Sequence, residues 1–314
     1  MEEKAAQTVE KEHYGRLFIN DVDKIDCAIF DPSVGVVGQS WFVDITVSGK
    51  LDSNGFVYDF SHLKKLVKQV LKSSLDHTLI IPVQSKLVHY QDTDRGELWR
   101  LQAKSRLTGV NSEWTYLCPK GAVYPIRSVQ VTREIVEAEC SRLVRHRLPE
   151  DVLSVEINLR KEDVQSGQSF FRYSHGITGH QGLCQRLFHG HRSLIEVYVA
   201  DERRHDLEQW LAHEVLGSIV HIASMSQIVN PDSNLRPGIR PESTKPLTLS
   251  YRGSMGLFEA TVPANRVFLV EDETSIEAIS QELVRLIANE GVEIGAPIKV
   301  KCFEGIGKGA IAEL

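Results

Sequence analysis

The sequence predicts an α+β protein built of two tandem antiparallel ββααββ units, each a four-stranded sheet with two helices on one face. Three observations predict it. Trp41 to Ser48 alternates strictly, with Trp41, Val43, Ile45 and Val47 on one side and Phe42, Asp44, Thr46 and Ser48 on the other, the period of a half-buried antiparallel strand. Leu63, Leu66, Val67, Val70 and Leu71 recur at three and four beside lysines 64, 65, 68 and 72, the stripe of a helix laid on a sheet. The pattern then begins again: a shift of 144 sets Leu63, Leu66, Val67, Leu71 and Leu75 on Leu207, Trp210, Leu211, Val215 and Ile219, His77 on His221, and Cys118-Pro119 on Val262-Pro263.

Taken in order, residues 1–14 are a polar, flexible tail, 15–165 form the first unit and 166–314 the second, with the join near 162–168. Arg16-Leu17-Phe18-Ile19 opens the first strand. After Ser48 the run Gly49 to Gly55 supplies a turn with an Asn-Gly signal, and Phe56-Val57-Tyr58 resumes extended chain. Asp59-Phe60-Ser61 opens the first helix. Short strands follow at Leu87–Tyr90, Glu97–Leu101 and Trp114–Leu117, then a helix over about Thr132 to Arg147 and a strand over Leu153 to Leu159. In the second unit a helix begins near Asp206, Pro-rich Asn230 to Pro246 is an exposed excursion, and a helix runs from about Thr274 to Asn289, its start marked by capping-box spacing in Thr274-Ser275-Ile276-Glu277. Gly305 to Gly309 is a turn, since no helix follows it. Open sheets of this kind expose edges that pair into a closed barrel, so a homo-oligomer, trimer-based, is expected.

Composition bounds the function. With 42% apolar and 25% charged residues among 314 the chain is globular, and a net charge of −6 without a basic block argues against nucleic acid as a partner. The longest apolar runs, such as Leu79 to Val83, are too short to span a bilayer, and the acidic start lacks a signal-peptide core. Five cysteines (27, 118, 140, 184 and 302) with no CxxC fit reduced thiols. The expectation is a cytoplasmic protein with neither membrane nor nucleic-acid partners.

The chemistry concentrates in Cys184-Gln185-Arg186-Leu187-Phe188-His189-Gly190-His191. On a strand His189 and His191 project from one face, and His175 joins them if Phe171 to Ile177 returns antiparallel alongside. Three neutral imidazoles leave a tetrahedral zinc ion one open position, the layout of a catalytic site; each histidine taken alone is as readily structural. In the first half Asp76 directly precedes His77, a pair unremarkable in isolation. Arg186 and Arg192 flank the histidines, either to meet an anionic leaving group or, the slightly favoured reading, as surface arginines.

An aromatic-x-x-x-His segment followed by Cys, a few residues and His-Gly-His resembles the 6-pyruvoyl-tetrahydropterin synthase and 6-carboxy-tetrahydropterin synthase family, as does the run Leu51 to Lys64 followed by Leu75-Asp76-His77. Ile298-Lys299-Val300-Lys301-Cys302-Phe303-Glu304 resembles that family's last strand. The resemblance implies the tunnelling fold, with active sites at subunit interfaces. It also implies Zn2+ on His175, His189 and His191, Cys184 as base, Asp76 and His77 as partner dyad, and Glu304 gripping a pterin. The halves differ reciprocally. Val37-Gly38-Gln39 stands where the second half has His189-Gly190-His191, Val220-His221 where the first has Asp76-His77, and Arg160 or Lys161 where the second has Glu304. Such complementary losses leave one composite site. The implied reaction is a lyase on 7,8-dihydroneopterin triphosphate or a close relative, by triphosphate elimination and tautomerisation or by retro-aldol cleavage. The alternatives are a non-catalytic or regulatory pterin- or purine-binding zinc protein and, more weakly, a reductase of the same fold.

Overall fold

A computed structural model of the chain describes residues 13–104, 111–229, 231–243, 245–290 and 295–314. The expected tail at residues 1–12 and two positions of the expected excursion, 230 and 244, lie outside these. The first half begins with β1 (Tyr14–Asp31) and β2 (Gly35–Lys50), a long antiparallel hairpin whose register runs from Tyr14 opposite Lys50 to Asp31 opposite Gly35. The alternation of Trp41 to Ser48 is observed as expected, with Trp41, Val43, Ile45 and Val47 buried.

The loop to α1 (Phe60–Lys72) turns on Asp52, whose Oδ1 accepts from the backbone of Asn54 and Phe56 at 2.8 and 2.9 Å. Phe56 to Tyr58, expected as extended strand, belongs to this loop because those donors go to Asp52 rather than to a neighbouring strand. Asp59 caps α1, accepting from His62 N at 2.8 Å, and Leu63, Val67, Val70 and Leu71 face the sheet. The half continues with β3 (Leu79–Pro82), β4 (Val88–Thr93), β5 (Gly96–Lys104), β6 (Asn111–Cys118), β7 (Val123–Ile126), α2 (Arg133–Arg145) and β8 (Val152–Arg160).

The second half repeats the order. It has β9 (Ser169–His175), β10 (His189–Val199), a short β11 (Glu202–Arg203), α3 (His205–Gln209), β12 (Ile219–Ser224), β13 (Pro246–Gly253), β14 (Gly256–Pro263), β15 (Val267–Val270), α4 (Ile276–Asn289), β16 (Ile298–Phe303) and β17 (Gly309–Glu313). Helix α3 passes into a π-helical turn over Trp210–Val215. Helix α4 is capped by Ser275, whose side chain accepts from Ala278 N, rather than by Thr274.

The main sheets share one strand order, β7-β3-β1-β2-β8 and β15-β12-β9-β10-β16-β17. Neither is the expected four-stranded antiparallel sheet. The first helical crossover of each half carries the chain over the hairpin to its far side, so β3 runs parallel to β1 and β12 to β9, and β7 and β15 add in parallel beyond them. Register also moves one correspondence. Ala28 pairs with Gly38 and Leu79, and Ser174 with Gly190 and His221. His221 therefore stands where Leu79 does, and Ser218 and Ile219 match Asp76 and His77.

A third sheet, β13-β14-β6-β5-β4, draws on both halves through the β14–β6 ladder. It covers a core shared by the two, in which Phe30, Leu79 and Trp114 lie with Phe188, Phe258 and Leu269. Two further cores lie between each main sheet and its helices. Among the described residues no helix is long and apolar enough to cross a membrane.

The hairpins β1–β2 and β9–β10 touch at their equivalent glycines. A Cβ on Gly38 would stand 2.1 Å from the Tyr173 carbonyl oxygen and 2.4 Å from that of His191, and one on Gly190 would stand 2.8 Å from Gly38 Cα. A residue meeting its own counterpart is what a two-fold relation between the halves requires. Because the obstacles are backbone atoms, Gly38→Ala is expected to lower the unfolding free energy by about 3 kcal/mol or more. Gly55→Ala, at φ +82° with nothing within 4 Å, meets only backbone strain, about 1 kcal/mol. Equal losses for the two in urea denaturation would contradict the close approach.

Candidate active site

Strand pairing builds the centre. His189 lies opposite His175 in the β9–β10 ladder, and His191 is two residues further along the same face. All three rings are fully buried, with centroids 4.2 Å apart for His175–His189, 5.3 Å for His175–His191 and 5.4 Å for His189–His191. Two are fixed through Nδ1, His175 against Thr274 O and His189 against Arg186 O, both at 2.8 Å. That arrangement turns their Nε2 atoms inward, and no partner meets Nε2 of any of the three among the described residues. Burial, with the neighbouring imidazoles adding to it, pushes His175 and His189 well below the usual histidine range and keeps them neutral. Neutral imidazoles with converging, orphaned nitrogens are a metal-ligand set, and their ligand atoms lie within 4.8 Å of one another. The residues fit the group that the sequence implied.

The first half supplies the other wall. Asp76 and His77 follow α1, with His77 at φ 55°, a left-handed conformation uncommon for histidine. β1 holds the turn by both ends of one residue, as His77 N donates to Asp26 O at 2.7 Å and Asp26 N donates to Asp76 Oδ1 at 3.0 Å. His77 Nδ1 then lies 2.9 Å from Asp76 Oδ2, and its ring stacks on His189 with centroids 5.2 Å apart. Burial works against a charge on His77, but Asp76 and Cys184 outweigh it and push its pKa up to about 10. Cys184, in the short helical turn Leu183–Gln185, reaches the pocket: its Sγ and the ring nitrogens of His77 and His189 fall within 4.8 Å of one another. His189 thus belongs to two potential metal groups, one of three imidazoles and one with His77 and Cys184.

Glu304 stands at the end of β16. Its Oε2 is 3.1 Å from Lys308 Nζ, which is in turn 3.6 Å from Asp26 Oδ2. The turn carrying it packs into the centre, with Gly305 N donating to Ser193 Oγ at 3.1 Å. His221 lies apart, its Nδ1 3.0 Å from Ser174 Oγ and its pKa pushed down to about 3 by burial.

Sequence reasoning missed Asp26. Its Oδ1 lies 3.2 Å from His191 Nδ1 and accepts from Ser40 Oγ at 2.5 Å. Burial alone would raise this carboxyl, but His191, Lys308 and Ser40 hold it well below the usual range. Carboxylates behind metal-binding histidines fix ring orientation and ligand basicity. The available signal was an acid set into the largely apolar stretch Ile25 to Phe30 of β1. The arginines are not surface groups. Arg186 donates through Nη1 to Asp76 O at 3.3 Å, and Arg192 stacks on Phe170 at 4.1 Å; both are more than nine-tenths buried.

The family model of 6-pyruvoyl tetrahydropterin synthase matches residues 33–93. A Methanocaldococcus jannaschii protein named "Putative 6-carboxy-5,6,7,8-tetrahydropterin synthase" is 35% identical over 75 residues, 23% of this chain and 45% of that relative, so the chain spans less than half of its length. Solved 6-pyruvoyltetrahydropterin synthases of Plasmodium vivax (TM-score 0.38, 20% identity, 49% of this chain and 94% of that one) and Plasmodium falciparum (TM-score 0.37, 18% identity, 46% and 90%) are similar to part of it. The similarity to the 6-pyruvoyl tetrahydropterin synthase family is thus carried by part of the chain, residues 33–93 for the family model and 75 residues for this relative.

Proposed function

We propose that the protein is a zinc-dependent lyase acting on a dihydropterin triphosphate, with one composite site drawn from both halves of the chain. The observation that carries the reading is the meeting of Asp76 and His77 from one half with Cys184, His175, His189 and His191 from the other. The separate losses read in the sequence thereby complete each other.

His175, His189 and His191 would hold the metal, with Asp26 behind His191. When bound there, zinc supplies Lewis acidity that acidifies substrate hydroxyls and polarises an adjoining carbonyl. The chain's own groups handle the protons. Cys184 and His77 lie close enough to share one, and Asp76 fixes the imidazole that takes part, an orienter and base in sequence. Elimination of triphosphate requires removal of a proton beside the leaving group, and tautomerisation requires its return to a neighbouring atom, work suited to a thiol and an imidazole facing one substrate. Glu304 would accept from the amino group and ring nitrogen of the pterin, and Lys308 holds its carboxylate toward the cleft. The fold's common strand order in both halves also supports a tandem duplication, and the exposed edges of both main sheets support homo-oligomerisation.

Incubating the zinc-loaded chain with 7,8-dihydroneopterin triphosphate and weighing the pterin product by mass spectrometry tests the reading; binding without turnover would leave a pterin-binding protein instead. Cys184→Ala is expected to lower turnover by about 10²- to 10⁴-fold while pterin affinity holds, and Asp76→Asn by about 10²-fold. Metal analysis separates the two ligand groups. About one zinc per chain should remain in Cys184→Ala and be lost in His175→Ala and His191→Ala; the reverse pattern would assign the metal to His77, Cys184 and His189.

A further inference from the structure

The seam between the halves has a second cleft. It lies on the helix side of the first sheet, at the start of α2, as a cavity of about 660 Å³ lined by Ile29, Gln39, Trp41, Arg133 and Lys161 among others. Strand register identifies it as the counterpart of the histidine centre. Ile29, Val37 and Gln39 occupy the places of His175, His189 and His191, and Lys161 occupies that of Glu304. No metal ligands remain at these positions, yet the cleft is neither filled nor apolar. Gln39 and Trp41 line it, 6% and 2% exposed, and each carries a buried polar atom, Oε1 and Nε1, without a hydrogen-bond partner among the described residues. An unsatisfied acceptor and an unsatisfied donor side by side in a closed wall are a standing cost unless something polar enters.

The charges around this cleft are inverted relative to the other. In the register Asp26 corresponds to Arg172 and Ser40 to Arg192, as Glu304 corresponds to Lys161, so two of the three acids of the histidine cleft are replaced by bases and the third, Asp76, by Ser218. Lys161 has no hydrogen bond or ion pair among the described residues. It lies within the field of Arg172, Arg192 and Arg133, which together with burial lower its pKa. The remaining charges are accounted for. Arg160 is tied to Asp44 and Asp21 at 2.5 and 2.6 Å, and Arg133 to Glu134 and Glu137 at 3.3 and 3.6 Å. Glu162 faces Arg192, and Asp31 offsets Arg172 in part. Asp163 also lines the rim. The charged side chains that line the cleft, Arg133, Arg160 and Lys161 against Glu134 and Asp163, leave it positive by one charge, in a chain of net charge −6.

We infer that this second cleft is a binding site for a small organic anion, whose phosphate or carboxylate group is taken by Lys161 within the field of Arg172 and whose polar body meets Gln39 and Trp41 inside. The ammonium supplies a point charge to either head group, and the nearby guanidinium strengthens the positive field around it. The site is separate from the histidine centre and needs no metal.

Calorimetric titration of the full chain, freed of metal by chelator and dialysed, with inorganic pyrophosphate and separately with citrate tests the assignment and tells the two head groups apart. Saturable binding of at least one probe is expected, weakened at least tenfold by Lys161→Glu and by Arg172→Asp, which write the other cleft's acids into this one. Lys161→Gln, which removes the charge while keeping much of the side chain, is expected to weaken it several-fold with an unchanged circular dichroism spectrum, and stands in should the charge reversals fail to fold. Absence of binding by both probes, or equal affinity in wild type and Lys161→Gln, would overturn the inference.

Discussion

The close approach of two glycines governs this structure. With no Cβ at Gly38 or Gly190, the central hairpins of the two halves press backbone to backbone, and nothing larger fits between the Tyr173 and His191 carbonyls and the facing strand. That contact sets the distances of everything beside it. Ser40 Oγ reaches Arg192 N at 3.1 Å, Asp26 reaches the ring of His191, and the turn after α1 is carried over His189. A methyl group inserted at the seam would separate two sheets that otherwise touch only through side chains. The site is therefore a property of the seam, since neither half alone owns a complete set of groups.

The groups at the seam also show how a buried polar centre is kept tolerable. His175 and His189 avoid the cost of burying cations by staying neutral, and both satisfy Nδ1 with main-chain oxygens. Asp26 remains ionised because its carboxylate has His191, Ser40 and Lys308 around it. Strain is stored on both sides of the pocket, in His77 at φ 55° and Phe188 at φ 69°, on the order of 1–3 kcal/mol each. Phe188 is held by rings of Trp114, Tyr116 and His221, and His77 by its two links to Asp26, so the framework offsets the strain. Left-handed residues that flank the cluster aim its side chains, which a relaxed backbone would direct elsewhere.

Much of this was legible in the chain because it is periodic or local. The alternation of Trp41 to Ser48, the stripe of α1 and the His-x-His spacing each follow from one element's geometry. The pairing of His175 with His189 follows once two strands are known to return antiparallel. What was not legible depends on the third dimension. The 144-residue offset read from the first helix of each half gives way to 142 at the next strand, and this matched His77 to the wrong residue. The shared third sheet could not be read because a β14–β6 ladder leaves no trace in either strand's pattern. Asp26 stands in a strand that also carries Asp21, Asp23 and Lys24, and only the facing His191 explains its burial.

Two halves that share a strand order and meet at Gly38 and Gly190 present two clefts, and strand positions on one have counterparts on the other. Any residue needed in both must be kept twice, whereas a residue needed in one is free to change at its counterpart. The pattern of change is informative for that reason. Where the histidine cleft has acids at Asp26 and Glu304, the other has Arg172 and Lys161; where the first has imidazoles, the second has Ile29, Val37 and Gln39. Simple decay toward scaffold would favour apolar side chains that fill the vacated volume, since an open cavity forfeits packing and a buried orphan forfeits a hydrogen bond. Ile29 and Val37 follow that course, but Gln39, Trp41 and Lys161 do not. Gln39 and Trp41 keep buried polar atoms without partners beside a space that remains open, and the bases near them are costly to hold together. Groups that repel one another around an empty polar cleft are stable company only when a counter-charge joins them.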